Sequence, residues 1–331
     1  MVAESMLSSG RGSNSEKASA LKAGIIPPFS QGTQDGKSKN MTIAGRHTLF
    51  ALFSLALLLF ALTPLRELLS LSLDWSNSHL SYIPLIPLTS AALICWNRKT
   101  IFRDLRTSAV PAMAAFVIGG ALYSAGRTYG SHLPENDYLS VMTASVLAFW
   151  FGGFLLFYGG AAFRAGLFPV LFLSLMIPIP GRILEGFIRL LQHGSSDLVS
   201  VIFTLTGTPA HRETEVIFAL PKVRIEVGEA CSGIRSTLMM LLTTLVAAHW
   251  CLRSNWRKTA LIIAVIPVSL FKNAVRIVTL TLLAVHYDMG FLTGSLHHDG
   301  GVLFMIGGLC LMYPLLAVLV RSEQTVTNLD A

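Results

Sequence analysis

The stretch 259–285 reads TALIIAVIPVSLFKNAVRIVTLTLLAV, and its apolar run is broken by Lys272, Asn273 and Arg276. About 20 apolar residues are enough for a helix to cross a bilayer, so this stretch predicts a membrane-spanning helix. Charged groups within such a helix are costly and usually mark a functional site. The stretch therefore predicts a membrane protein with a polar site in its interior.

The composition of the whole chain supports the same class. Of its 331 residues, 53% are hydrophobic and 13% are charged, whereas soluble domains carry roughly 25% charged residues. We therefore predict an all-α polytopic membrane protein with about eight transmembrane helices. The predicted spans are 48–63, 80–96, 109–126, 139–158, 165–179, 233–250, 259–285 and 301–320.

The basic residues predict the orientation of the chain. Of the 25 Lys and Arg residues, 15 lie before the first span, between the second and third, between the fourth and fifth, between the sixth and seventh, or after the last. Because cytoplasmic loops carry an excess of these residues, we expect a multi-pass membrane protein with both termini in the cytoplasm. The net charge of +7 is then a consequence of topology. No aromatic-basic pattern indicates a nucleic-acid partner.

Four regions are predicted along the chain. Residues 1–45 are rich in Ser, Gly and Lys, which is typical of a disordered tail. Residues 46–160 hold the N-terminal transmembrane helices, and residues 161–320 hold the transmembrane region with the candidate site. Residues 321–331 form a predicted cytoplasmic tail.

The longest ordered segment outside the predicted spans is 180–230. Within it, residues 182–206 have apolar side chains at helical spacing with Arg and Gln between them, which predicts an amphipathic helix on the outer leaflet. The segments 215–220 and 223–227 flank a turn and predict a small β-hairpin. This hairpin leads directly to Cys231.

Cys231 lies in the run EACSGIR at 229–235. The four cysteines lack CxxC or metal-ligand spacing, which argues against a disulfide framework or a zinc site. No cofactor is expected. Ser232 and the glycine after it favour a turn and a helix start. A thiol at a helix N-terminus is acidified by the helix dipole, and the thiolate is the reactive form. The simpler alternative is a packed cysteine beside a capping Ser232.

Arg276 lies about nine residues from the predicted outer end of its span, roughly 14 Å at the rise of an α-helix. The simpler alternative is that Arg276 snorkels to the membrane surface. A depth of this size is large for a snorkelling side chain. Asn273, one turn earlier, shares its face and is a candidate partner. Lys272 is expected to snorkel or to pair locally.

His297 and His298 follow a glycine-containing outer loop and precede the last span. Neutral imidazole transfers protons near pH 7, so it suits a base beside a thiol. The alternative is an interfacial histidine pair. Arg235, one turn past Cys231, is a candidate to orient Glu229 or to bind a substrate carboxylate.

These residues together resemble the exosortase/archaeosortase family of polytopic membrane transpeptidases. The resemblance covers roughly 165–310 and rests on ACSGIR at 230–235, on the N-x-x-R pair Asn273 and Arg276, and on the H-x-x-x-G pair His297 and Gly301. It implies Cys231, Arg276 and His297 as catalytic residues, supported by Arg235, Asn273, His298 and Ser232.

The resemblance also implies a function. It predicts a cysteine transpeptidase or protease that cleaves C-terminal sorting signals at the outer face of the cytoplasmic membrane through a thioester. Its partners would be exported proteins with a C-terminal motif, a transmembrane helix and a basic tail, together with membrane lipid and an acceptor amine or water. The competing hypothesis is a non-enzymatic transporter or scaffold of a surface-polysaccharide export system. In that case Arg276 and the histidines line a polar pathway, and Cys231 merely packs.

Overall fold

The computed structural model of the chain describes residues 42–74, 79–221, 223–228, 232–292 and 301–329. In these residues, α-helices are joined by short connections and one small sheet. The helices are α1 (Ile43–Phe60), α2 (Leu62–Leu73), α3 (Leu85–Trp96), α4 (Arg98–Ile101), α5 (Ala109–Tyr129), α6 (Glu135–Phe157), α7 (Gly159–Ala165), α8 (Leu167–Phe172), α9 (Gly181–Leu205), α10 (Ile234–Cys251), α11 (Asn255–Ile263), α12 (Val265–His286) and α13 (Gly301–Leu329). Short 3₁₀ turns cover Gly130–His132, Leu173–Met176 and Met289–Leu292.

The predicted all-α polytopic membrane fold is confirmed. Among the described residues, six helical segments are long and apolar enough to cross a membrane. They are Ile43–Phe60, Ala109–His132, Glu135–Phe157, Ile234–Cys251, Asn255–His286 and Gly301–Thr325. Only 6% of the first segment is buried inside the protein, as expected of an apolar helix that faces lipid.

Two predicted spans have a different form. The segment 80–96 contains α3, a helix of 12 residues that is shorter than the roughly 20 needed for a crossing. Pro84 and Pro87 lie at its start, where proline is tolerated but blocks extension toward the N-terminus. The segment 165–179 belongs to the pair α7 and α8, which is bent by 81° around Gly166. If this pair is one span, the described residues contain seven.

Two helices extend across the predicted region boundaries. Helix α1 begins at Ile43, so its first residues fall within the predicted tail 1–45, of which residues 1–41 lie outside the described part. Helix α13 continues to Leu329, so the segment 321–331 is mostly helical. From Ile43 onward the chain forms one compact unit.

One apolar cluster joins the N-terminal helices to the second half of the chain. Leu184 and Ile188 of α9 and Ile234 and Leu238 of α10 pack in the same buried cluster as Leu139 of α6. The start of α10 is therefore anchored against both α6 and α9.

The N-terminus of α6 holds the segment that leads into α9. The Asp137 Oδ1 atom accepts a hydrogen bond of 2.6 Å from the backbone N–H of Gly181, at the start of α9. The Ser140 hydroxyl donates to the carbonyl of Pro178 at 2.8 Å. These bonds fix where α9 begins, and the carboxylate also suits the positive end of the helix dipole.

The predicted β-hairpin is present, with one strand added. The strands are β1 (His211–Arg212), β2 (Ile217–Ala219) and β3 (Arg224–Glu226), which form an antiparallel sheet in the order β1-β2-β3. Phe218 is paired with Ile225, and both side chains pack in one apolar cluster with Val199 and Phe203 of α9. The sheet is therefore attached to the second half of α9.

Helix α9 covers Gly181–Leu205, close to the predicted amphipathic helix 182–206. Its contacts are with protein along much of its length. A β-carbon on Gly194 would lie 2.9 Å from the Leu270 side chain, and Val199 and Phe203 share a cluster with Val278 of α12. Helix α9 therefore forms one wall of the region around α12.

Candidate functional site

The polar residues that interrupt α12 face the interior of the protein. Lys272, Asn273 and Arg276 are 4%, 2% and 9% exposed. Their spacing of three and four places them on one side of the helix, and this side meets α9 and α10. Because protein encloses Arg276, its burial argues against a side chain that snorkels along a lipid-facing surface.

Asn273 connects α12 to two other elements. Its Nδ2 donates a hydrogen bond of 3.1 Å to the Ser195 hydroxyl of α9. Its Oδ1 lies 2.8 Å from the position that a β-carbon on Gly233 would take. Gly233 has φ +74°, in the left-handed region that glycine adopts without steric cost. Glycine is thus needed at 233 both for the backbone and for the space that Asn273 fills.

Helix α10 begins at Ile234, directly after this glycine, as the sequence predicted. Ser232 is 1% exposed, and its Oγ accepts a hydrogen bond of 3.4 Å from the N–H of Ile234. The carbonyl of Gly233 accepts from the hydroxyls of Ser236 and Thr237, at 3.0 Å and 2.9 Å. The turn that follows Cys231 is therefore held from within α10 and, through Asn273, from α12.

The strand that leads toward Cys231 is held on α9. The Gln192 side-chain amide donates a hydrogen bond of 3.2 Å to the carbonyl of Val227, just after β3. At the other edge of the sheet, Arg212 donates to the Asp197 carboxylate at 2.8 Å. Helix α9 therefore supports both the sheet and the last described residues before Cys231.

Three of the predicted site residues, Cys231, His297 and His298, lie outside the described residues. Cys231 is joined by one peptide bond to the buried Ser232. The two histidines precede α13 in the chain. The structure therefore describes the helices that follow these residues, and not the residues themselves.

The helices that follow Cys231 and His297 meet the helix that carries Arg276. A β-carbon on Gly308 of α13 would lie 3.1 Å from the Lys272 Cδ of α12 and 3.1 Å from the Met240 Sδ of α10. Helices α10, α12 and α13 are thus in close contact at this level of the protein.

The described part of the site is rich in positive side chains. Arg276 and Lys272 lie one turn apart on α12, and the half-buried Arg235 lies in the first turn of α10. Such groups, together with the N-terminus of α10, would stabilise a thiolate or an oxyanion. Within the described ranges, no group of three His, Cys, Asp or Glu side chains is placed to hold a metal ion.

Ser195 and Gln192 contribute to this region although the sequence did not single them out. Ser195 is 0% exposed and lies between Leu191 and Val199 on the buried side of α9, at a spacing of four. A hydroxyl at such a position indicates a polar partner inside the protein. The identity of that partner, Asn273, is visible only in the folded chain.

Comparison with protein families shows which family the chain belongs to. The family model described as transmembrane exosortase matches residues 75–313, a range that includes α9, α10, α12 and all the predicted site residues. Neither a curated protein nor a solved structure matches the chain. Since the matched range covers well over half of its length, the chain belongs to the transmembrane exosortase family.

Proposed function

We propose that the chain is a membrane-embedded cysteine transpeptidase or protease that cleaves C-terminal sorting signals of exported proteins. The family consists of transmembrane proteases and transpeptidases that process exported proteins, which supports the general reaction. The proposed substrate carries a C-terminal motif, a transmembrane helix and a basic tail. The proposed site faces the outside of the cytoplasmic membrane, with both chain termini in the cytoplasm.

The proposed chemistry begins with nucleophilic attack. The Cys231 thiolate attacks the scissile carbonyl, an oxyanion forms, and its collapse leaves a thioester on Cys231 and releases an amine. His297 protonates that amine and then removes a proton from the acceptor, which is an amine or water. His298 supports His297. Attack of the acceptor on the thioester releases the processed product and restores the thiol.

Arg276 is the proposed group that stabilises the oxyanion. A fixed donor in an enclosed, low-dielectric site is worth several kcal/mol to such a transition state, and removing one typically costs about 10²–10³ in kcat. The burial of Arg276 at 9% exposure supports this role, because a guanidinium shielded from water is a stronger electrostatic partner.

The contact between Asn273 and Gly233 is the observation that carries the proposal. It joins the helix of Arg276 to the turn directly after Cys231. The hydrogen bond from Asn273 to Ser195 adds the helix that supports the approaching strand. Asn273, Ser232 and Arg235 are thus proposed to support the catalytic groups.

A processing assay tests the proposal. The full chain is expressed with an exported protein from the same genome that ends in a short motif, an apolar helix and a basic tail. Cys231→Ser and Cys231→Ala should abolish processing, whereas Cys310→Ala, which changes an exposed cysteine of α13, should retain it. Full processing by Cys231→Ala would overturn the proposal and favour the transporter or scaffold.

Two further measurements resolve the orientation and the acceptor. With Cys95, Cys251 and Cys310 replaced by alanine, a membrane-impermeant maleimide added to intact cells should label Cys231. Labelling only after the cells are opened would contradict an outward-facing site. The mass of the processed C-terminus then distinguishes hydrolysis, which adds water, from transfer, which adds an amine.

A further inference from the structure

A buried lysine and a buried serine form a pair close to the turn that follows Cys231. The Lys272 Nζ of α12 donates a hydrogen bond to the Ser236 Oγ of α10. Lys272 is 4% exposed and Ser236 is 9% exposed. The pair is therefore enclosed by protein, and the lysine does not reach a water-facing surface.

Ser236 transmits this contact to the turn. Its hydroxyl donates a hydrogen bond of 3.0 Å to the carbonyl of Gly233, two residues after Cys231. A hydroxyl has one proton and two lone pairs, so Ser236 accepts from Lys272 while it donates to Gly233. One hydroxyl and one carbonyl thus separate the amine of Lys272 from the backbone next to the nucleophile.

The packing of α13 directs the amine toward Ser236. Gly308 of α13 lies against the aliphatic stem of Lys272. A β-carbon on Gly308 would lie 3.1 Å from the Cδ of Lys272. Met240 of α10 borders the same space. The lysine stem is therefore confined between α10 and α13, which limits the directions in which its amine can point.

We infer that Lys272 is a positioning residue for the proposed nucleophile: through Ser236, it holds the Ser232-Gly233 turn, which directly follows Cys231 in the chain. This inference rests on the proposed role of Cys231. A thiol held at a helix N-terminus is favoured as the thiolate. Lys272 acts here through Ser236 and needs no contact with the substrate.

The cost of enclosing an amine supports a role beyond packing. A buried amine loses its hydration and needs partners in compensation. A methionine has nearly the same length and fills apolar space without that cost. If residue 272 served packing alone, methionine would therefore be the more stable choice. For this reason Lys272→Met is the informative substitution.

The test measures how fast iodoacetamide alkylates Cys231 in the full-length protein in lipid nanodiscs near neutral pH. Cys95, Cys251 and Cys310 are replaced by alanine so that one thiol reports. The variants are Lys272→Met, Ser236→Ala and the two combined. Ser236→Thr keeps the hydroxyl and serves as the conservative variant.

Ser269→Ala is the matched control, because Ser269 is also fully buried on α12, one turn before Lys272. Its hydroxyl makes no hydrogen bond within the described part of the chain. The alkylation rate should fall on the order of tenfold in Lys272→Met and in Ser236→Ala, because a smaller fraction of the thiol is ionised once the turn at the helix N-terminus is no longer held. In Ser236→Thr and Ser269→Ala, the alkylation rate of Cys231 should stay close to the rate in the protein with native residues at both positions.

The double variant decides whether the two residues act in series. If Lys272 acts through Ser236, the double variant is no slower than the slower single variant. Two independent losses that multiply would overturn the inference. An unchanged alkylation rate in Lys272→Met would also overturn the inference. A faster rate would overturn it too, because it would mean that the substitution only loosens the packing and exposes the thiol.

The readouts keep the two proposals apart. If Cys231→Ala still processes its substrate, the proposed function fails, whereas the alkylation rates still report on the position of the thiol. If processing requires Cys231 but Lys272→Met leaves the alkylation rate unchanged, only the inference about Lys272 fails. Where processing can be timed, Lys272→Met should lower kcat by on the order of 10- to 100-fold with little change in KM.

Discussion

The side-chain oxygen of Asn273 stands 2.8 Å from the point where a β-carbon on Gly233 would lie. Through this contact, the helix that carries Arg276 touches the turn that follows Cys231. The geometry of the candidate site thus depends on a glycine and an amide, neither of which takes part in the proposed reaction.

Gly233→Ala should destabilise the protein and disturb the site. The backbone conformation alone, with φ +74°, costs an alanine about 1–2 kcal/mol, and the new methyl group would also displace Asn273. Thermal unfolding in detergent measures the loss. Gly186→Ala in α9 is the control: nothing lies within 4 Å of its β-carbon, and it should stabilise the helix by roughly 0.5–1 kcal/mol. Equal unfolding temperatures in the two variants would contradict the account of Gly233.

Asn273→Ala should lower the free energy of unfolding by about 1–3 kcal/mol, because the buried Ser195 hydroxyl loses the group that donates a hydrogen bond to it. Ser195→Ala and the double variant complete a cycle in which the coupling should be about 0.5–3 kcal/mol. Ser196→Ala is the control, since Ser196 is equally buried and its hydroxyl has no hydrogen bond among the described residues. Strict additivity of the Asn273 and Ser195 variants would contradict a direct interaction.

Arg276→Met should lower kcat about 10²–10³-fold while the protein remains folded. Arg276→Lys should rescue little, because an ammonium lacks the planar fork of the guanidinium. Arg189→Met, on the exposed side of α9, should keep its activity. Steady-state kinetics of processing and the unfolding temperature are both needed to separate catalysis from stability. Full activity of Arg276→Met would exclude the oxyanion role.

Glu323→Ala should lower the unfolding temperature and leave the alkylation rate of Cys231 unchanged. The Glu323 carboxylate accepts hydrogen bonds from the N–H groups of Arg253 and Ser254, at 2.9 Å and 2.7 Å. It thereby caps α11 and ties it to the end of α13, at the opposite end of α10 from the candidate site. The exposed neighbour Gln324 provides the control, and Gln324→Ala should unfold like the original protein. A slower alkylation of Cys231 in Glu323→Ala would show that the two ends of α10 are coupled.

The main features of the fold were predictable because they are local. A helix satisfies its own backbone hydrogen bonds, so a long apolar run without a break favours a membrane helix whatever its neighbours are. The Ser232-Gly233 pair likewise predicted the start of α10. Glycine adopts a left-handed φ without steric cost, which allows a turn directly before the helix. The alternating apolar residues near Ile225 predicted β3 for the same local reason.

The predicted membrane spans were least accurate where the helix is interrupted or bent within a long apolar run. The segment 80–96 is apolar enough to span a membrane, but its two prolines limit α3 to 12 residues. The segment 165–179 is part of a pair bent by 81° at Gly166. Hydropathy measures the preference of side chains for lipid, and it contains no information about the direction of the helix axis.

What the sequence by itself determined is the class of protein, the position of most helices and the identity of the polar residues within them. Only the tertiary structure decided which of those residues meet: Asn273 with Gly233 and Ser195, and Lys272 with Ser236. The physical reason is that helix periodicity orients a side chain relative to its own axis alone. Which neighbour lies on that side depends on how separate helices pack, and that packing results from shape complementarity across the whole bundle.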